Sequence, residues 1–127
     1  MKQVVCAVIE NPRGQVLLAR RAPGQHLEGL WELPGGKVET GETLVHALQR
    51  ELREELGLIS EVGDELARSV HHYERGAIEL IALSATVSGE VAKLVVHDAV
   101  AWVRSDEWSV LPVAPADIPL LKSILRC

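Results

Sequence analysis

The sequence predicts an α/β fold in which helices pack on a mixed sheet. Three observations carry that expectation. Runs rich in β-branched residues and one strongly amphipathic segment are interspersed without a regular βαβ alternation, which disfavours a doubly wound parallel sheet. The 127 residues suffice for one domain with a real core and are too few for two, so a single domain over 1–127 is expected. Apolar residues make up 47% of the chain, enough to bury a core rather than stay disordered. With three Trp, one Tyr and no Phe, that core must be built from Leu, Val, Ile and Ala.

Val4 to Glu10, the turn signal Asn11-Pro12-Arg13-Gly14 and Gln15 to Arg20 read as a β-hairpin. Residues 22–29 lack periodicity and read as a loop. Trp31-Glu32-Leu33 reads as a short strand ended by Pro34-Gly35-Gly36. Thr43 to Leu56 reads as a helix. At about 100° per residue from Glu51, Leu44, Leu48 and Leu52 fall near 20°, 60° and 100°, which makes a buried stripe. Residues 59–73 and 77–87 are β-rich around the turn Glu74-Arg75-Gly76, and Ser88-Gly89-Glu90 is another turn. Ala99 to Val103 is a strand. Ser105-Asp106-Glu107-Trp108 opens like a capped helical turn. Residues 116–126 form a last helix, with Asp117 as its candidate cap.

The formal charge of −5 argues against wrapping a nucleic acid polymer and leaves a small anionic ligand open. Cys6 and Cys127 are the only cysteines, so no disulfide frame is expected and a reducing compartment fits. The run VVCAVI is too short for a membrane span or a signal-peptide core. The expectation is a cytoplasmic globular protein without membrane contact, as a monomer or homodimer.

Residues 36–58 carry the chemistry: Gly36, five residues, Glu42, seven residues, then Arg50-Glu51-Leu52-Arg53-Glu54-Glu55-Leu56-Gly57-Leu58. On the helix Glu55 falls near 40° and Glu54 near −60°, so the carboxylates straddle the edge of the buried stripe. Glu51 pairs with Glu54 at i,i+3 and with Glu55 at i,i+4. Each like-charge pair costs about 0.2–0.5 kcal/mol on an exposed helix. The cost rises beside apolar surface, where desolvation penalises each charge. Arg50, at i,i+4 from Glu54, offsets part of it. Taken alone, the hexapeptide also reads as a solvated surface of ordinary ion pairs. Hard carboxylate oxygens without His or Cys suit Mg²⁺ (or Mn²⁺) over zinc. Gly35 and Gly36 remove side chains where backbone must approach a ligand or take positive φ.

The full spacing from Gly36 to Leu58 resembles the signature box of the Nudix hydrolases, and every specified position is matched. The resemblance implies a Nudix α/β/α sandwich with a mixed sheet and a loop-helix-loop catalytic segment. It implies metal-dependent hydrolysis of a nucleoside diphosphate linked to another group. By position, Glu51, Glu54 and Glu55 resemble the family's metal ligands, with Glu51 near the attacking water, and the Gly35 carbonyl resembles a backbone ligand. Arg50 would orient the glutamates, and Glu42 would close the loop or sit at the edge of the cluster.

Three further segments are similar to the MutT-like nucleoside triphosphate pyrophosphohydrolases: Leu17-Leu18-Ala19-Arg20-Arg21, Gly29 to Lys37, and Ala114 to Pro119. That likeness implies that Arg21 contacts a phosphate and that Asp117 reads the base edge. Members similar in the last segment act on cytidine nucleotides as well as oxidised guanine nucleotides. Arg20 and Lys37 are further candidate phosphate contacts, against a plain reading as solvated charge. Trp31 either lines the pocket or packs in the core. His71, His72 and His97 read as structural.

One departure stands out. Relatives commonly carry an acidic residue six positions before the tryptophan at 102, where this chain has Val96. Asp98 should face the same side of an extended strand as Val96, and Glu90 is a more distant replacement.

The expected reaction is attack of water at phosphorus, giving a nucleoside monophosphate and pyrophosphate from an oxidised or modified deoxynucleotide such as 8-oxo-dGTP, or from CTP. The alternatives are hydrolysis of a nucleotide sugar, ADP-ribose or dinucleotide, and a non-catalytic nucleotide-binding domain.

Overall fold

The structure, a computed structural model, describes residues 1–125. Its elements are strands β1 (Lys2–Ile9), β2 (Val16–Arg21), β3 (Trp31–Glu32) and β4 (Gly35–Lys37), helix α1 (Leu44–Leu56), strands β5 (Ile59–Tyr73), β6 (Gly76–Ser88) and β7 (His97–Val103), and helix α2 (Asp117–Ile124). One sheet has the order β4-β1-β6-β5 and is mixed, because β1 runs parallel to β6 while its other pairings are antiparallel. The second has the order β3-β2-β7 and is antiparallel. The predicted mixed α/β architecture is therefore present. Arg126 and Cys127, at the predicted end of the last helix, lie outside the described residues. Cys6 is buried and free.

Both faces of β1 are buried, and its alternation sorts two cores. Val5, Ala7 and Ile9 join Ala47, Leu48, Leu52 and Leu56 of α1 with Ile81, Leu83 and Ala85 of β6. Cys6 and Val8 join Leu80 and Ala82 with Leu120 and Leu121 of α2. Each fully buried leucine of α1 contributes about 2 kcal/mol by leaving water. The helix starts where Thr43 Oγ1 accepts from the His46 N–H at 3.1 Å, which satisfies one of the free first-turn donors. It stops at Gly57, left-handed at φ 67°, whose N–H caps Arg53 and Leu52 carbonyls.

Three local expectations are corrected. β1 and β2 do not form a hairpin: they share only an isolated bridge, Glu10 with Val16, and belong to different sheets. The turn is real. Asn11 Oδ1 accepts from the N–H groups of Arg13 and Gln15, and it carries the chain from one sheet to the other. Gly35-Gly36 is not a strand terminator but the strand β4, paired with β1 through Cys6↔Gly35 and Val5↔Gly36. The turn after β7 is a 3₁₀ segment at Trp108–Val110 without a side-chain cap; Glu107 instead accepts from the Arg104 N–H.

The two glycines of β4 serve close approach rather than positive φ. A Cβ at Gly35 would lie 1.9 Å from the Val5 carbonyl oxygen, and one at Gly36 would lie 2.4 Å from the Glu51 carboxyl carbon. Gly35→Ala must therefore push two strands apart, whereas Gly36→Ala must push a side chain aside. We expect Gly35→Ala to cost about 3 kcal/mol or more in chemical denaturation. Gly36→Ala should retain the fold and lose activity through a displaced Glu51. Equal stability of Gly35→Ala and wild type would contradict this packing.

Candidate active site

α1 presents its carboxylates toward β4, and one guanidinium organises them. Arg50 donates from Nε and Nη2 to Glu42 at 2.7 and 2.9 Å, from Nη1 to Glu51 Oε1 at 2.9 Å and to Glu54 at 3.2 Å, and from Nη2 to the Lys37 carbonyl at 3.0 Å. The fork-on-fork pairing with Glu42 closes the loop onto the helix, as the box resemblance implied, and holds the Glu42 carboxyl down to about pH 2. Glu42 also accepts from the Glu39 N–H. Arg50 thus reaches more partners than the single i,i+4 contact read from the sequence.

Glu51 and Glu54 differ in exposure, 12% against 56% of the side chain. Glu55 lies on the buried side. Burial first, then the hydrogen bond and charge of Glu51, push its carboxyl up to about 8. Among the described residues, no three carboxylate, imidazole or thiol groups already enclose a point where a cation would sit, because Arg50 draws Glu51 and Glu54 to itself. The donor set nonetheless fits a hard divalent cation. It is all oxygen and it is crowded, with burial and the neighbouring Glu51 both raising Glu55.

The substrate-contact candidates are placed as follows. Arg21 Nε lies 3.0 Å from Glu32 Oε2, an ion pair with both side chains largely buried. Lys37 is exposed at the end of β4, and its carbonyl, not its ammonium, meets Arg50. Arg20 pairs with Asp98 at 2.8 Å and lies 5.6 Å from the centre of the Trp31 ring. Trp31 is partly buried and packs against the α2-side core.

Asp117 is not the cap of α2. It is the first helical residue, the cap position is Ala116, and no side chain caps that end. The Asp117 carboxylate is 5% exposed and accepts from the Leu33 N–H at 2.9 Å. Burial, then the charge of Glu32, raise it to about 8. The sign follows from its ordinary value of 3.8. Between about 4 and 8 the unfolded chain has released this proton and the folded chain holds it, so this group's stabilising share is whole below 3.8 and falls as pH rises to about 8. Asp117→Asn keeps an acceptor for the Leu33 N–H and cannot ionise. We expect its stability, followed by thermal unfolding at pH 5 and pH 8, to decline less than that of wild type. A parallel decline would contradict the assignment.

Sequence reasoning missed Glu32 and the use of His97. His97 Nε2 lies 2.9 Å from Glu32 Oε2, and Glu32 raises both Glu55 and Asp117. Tyr73 was missed as well. Its phenol is raised by burial, then by Asp117 and Glu32, and its ring meets His71 edge-on at 4.6 Å and His26 at 6.3 Å. The loop 22–29 therefore reaches across to the end of β5. The inward-outward alternation of His71 and His72 holds. Neither Asp98 nor Glu90 joins the α1 glutamates: Asp98 is taken by Arg20, and Glu90 lines a separate cavity with Leu17, Leu58 and Trp102.

With this geometry in place, comparison with known proteins gives a consistent answer. Residues 1–124 match the NUDIX domain family. A CTP pyrophosphohydrolase of Escherichia coli (strain K12) is 40% identical over 125 residues, covering 98% of this chain and 92% of that protein. A putative 8-oxo-dGTP diphosphatase 2 of Mycobacterium tuberculosis (strain ATCC 25618 / H37Rv) is 39% identical over 118 residues, covering 87% and 79%. The solution structure of the E. coli ORF135 protein superposes with a TM-score of 0.86 at 41% identity, covering 97% of this chain and 87% of that one. The crystal structure of the MutT protein from Methanosarcina mazei Go1 gives 0.84 at 29%, covering 94% and 88%.

Proposed function

The chain belongs to the Nudix family of hydrolases, and on that premise we propose that it hydrolyses nucleoside triphosphates to a nucleoside monophosphate and pyrophosphate, acting on CTP-type or oxidised substrates such as 8-oxo-dGTP. The observation that carries this reading is the Arg50-centred carboxylate cluster against Gly36, in a chain whose relatives include a CTP pyrophosphohydrolase and a putative 8-oxo-dGTP diphosphatase. The role that follows is removal of unwanted nucleotides from the pool. A cytoplasmic location fits the free, buried Cys6.

Nudix hydrolases use divalent metal ions, and Mg²⁺ (or Mn²⁺) is the proposed species here. Glu51, Glu54, Glu55 and the Gly35 carbonyl are the proposed ligands. When bound, the ion neutralises triphosphate charge and makes water easier to deprotonate. The chain supplies the rest. Arg50 fixes Glu51 through Oε1, and Glu51 is the proposed acceptor of the water's proton. Arg21 and Lys37 bring positive charge to the phosphates. Asp117, with its carboxyl held up to about 8, can donate as well as accept toward a base edge.

Steady-state kinetics with Mg²⁺ over CTP, dCTP, 8-oxo-dGTP, unmodified dGTP and ADP-ribose tests the substrate class. We expect the largest kcat/KM for a triphosphate of the first three. A preference for ADP-ribose would replace this reading with the broader diphosphate-derivative one. Binding without turnover of any of them would support a non-catalytic domain.

A further inference from the structure

The strand that follows Val96 breaks its pairing with β2 at one point. β2 and β7 pair regularly from Val16↔Val103 to Arg20↔Ala99, and the register then slips, so that Arg21 faces His97. A one-residue slip exchanges the two faces of a strand. Without it Asp98 would stand opposite Arg21. With it Asp98 goes to Arg20, at 2.8 Å, and His97 takes the place beside Arg21.

Glu32 arrives from the other side of β2, where it is the partner of Ala19. Ala19 is fully buried and small, which lets the Glu32 carboxylate cross over β2 and meet the imidazole. One oxygen, Glu32 Oε2, then lies 2.9 Å from His97 Nε2 and 3.0 Å from Arg21 Nε. The His97 side chain is fully buried, and its Nδ1 has no hydrogen-bond partner among the described residues. A proton on Nε2 makes the contact with the Glu32 oxygen a hydrogen bond, whereas the other neutral tautomer would set two acceptors face to face and leave a buried Nδ1–H without an acceptor among the described residues. The geometry therefore assigns the proton to Nε2, donating to Glu32. Arg21 Nε meets the same oxygen off the hydrogen-bond direction, as an ion pair, so the imidazole sets where the carboxylate stands and the guanidinium follows.

We propose that His97 is a positioning residue for substrate binding: it fixes Glu32, and Glu32 anchors Arg21 by its Nε edge so that its remaining donors are directed at the substrate's phosphates. The proposal rests on the reading of Arg21 as a phosphate contact. His97 touches none of the α1 glutamates, and Glu32 and Arg21 act on Glu55 with opposite signs, so the main effect is expected in binding.

The test is a double-mutant cycle of His97→Leu with Arg21→Ala, using CTP and Mg²⁺, with His97→Gln as the conservative variant because its amide can donate near the Nε2 position. We expect His97→Leu to raise KM about tenfold and leave kcat within about twofold, His97→Gln to restore most of that loss, and His97→Leu to add nothing in the Arg21→Ala background. An unchanged KM, or the same loss in both backgrounds, overturns the proposal, because a merely structural role would be additive. If His97→Leu does not fold, His97→Gln against His97→Asn carries the comparison, since the shorter amide cannot reach Glu32.

Two readouts stand apart from turnover. Long-range ¹⁵N–¹H spectra of the wild-type imidazole should show the Nε2–H tautomer, and the Nδ1–H tautomer overturns the assignment. The same cycle read as dissociation constants for a non-hydrolysable CTP analogue should show the same non-additivity. If that holds while wild type hydrolyses nothing, the hydrolytic reading fails and the positioning of Arg21 stands.

Discussion

Glu54→Gln is expected to leave the fold intact and to lower kcat by on the order of 10²–10³. The first half follows from exposure. The Glu54 side chain is 56% exposed and its only partner among the described residues is Arg50, at 3.2 Å, so the exchange is a surface one, worth within about 0.5 kcal/mol. Arg50 keeps Glu42 and Glu51 in the variant, so the loop stays closed on α1. The second half follows from chemistry. An amide retains the shape but loses the charge that the proposed cation and the developing phosphoryl charge require. Glu39→Gln is the internal control. Glu39 is also exposed and also near Arg50, at 3.8 Å, yet it lies outside the proposed ligand set and should be close to neutral. Circular dichroism, thermal unfolding and steady-state kinetics on the same preparations decide the matter. Normal turnover in Glu54→Gln would remove Glu54 from the ligand set.

Arg50→Met should damage both folding and rate. The Arg50 side chain is 16% exposed and satisfies Glu42, Glu51 and the Lys37 carbonyl together. Met keeps the apolar stem and deletes every donor, which leaves half-buried carboxylates without a counter-charge. We expect the thermal midpoint at neutral pH to fall by several degrees. We also expect kcat to fall on the order of 10², since Glu51 and Glu54 lose the group that aims them. The pH dependence supplies a signature. The Glu42 carboxyl is lowered from 4.5 to about 2, chiefly by its hydrogen bonds from Arg50. Its stabilising share is therefore present above about 4.5 and is lost as pH falls toward 2. Wild type should lose this stability in acid, and Arg50→Met, which never had it, should show a flatter profile there. Arg50→Lys should recover little, because an ammonium cannot grip Glu42 bidentately. A wild-type acid profile in Arg50→Met would show that Arg50 does not hold Glu42 as described.

Much of the architecture was legible because it follows from local rules. Helix α1 was readable from the Leu44-Leu48-Leu52 stripe, although Thr43 is its cap and not its first residue, and the long β5–β6 hairpin was readable from its turn. What escaped was decided at long range. The Asn11 turn looks the same whether it joins paired strands or carries the chain between sheets. Gly35 and Gly36 have poor strand propensity, and only the nearness of the Val5 backbone and the Glu51 carboxylate explains a strand there. Asp117 stands at the start of a helix, where a cap is a natural reading, but its partner, the Leu33 N–H, is 84 residues away in the chain. The meeting of Glu32, Arg21 and His97 depends on a slip between two strands that no residue type announces.

One proposed reaction is central: cleavage of a nucleoside triphosphate into monophosphate and pyrophosphate at the proposed Glu51-Glu54-Glu55 cluster. Phosphorus-31 NMR of CTP or 8-oxo-dGTP, incubated with the protein and Mg²⁺, observes it directly. The predicted result is the joint appearance of nucleoside monophosphate and pyrophosphate signals in equal amounts, slowed on the order of 10²–10³ with Glu54→Gln. Orthophosphate with nucleoside diphosphate, or an unchanged triphosphate for both substrates, would contradict it.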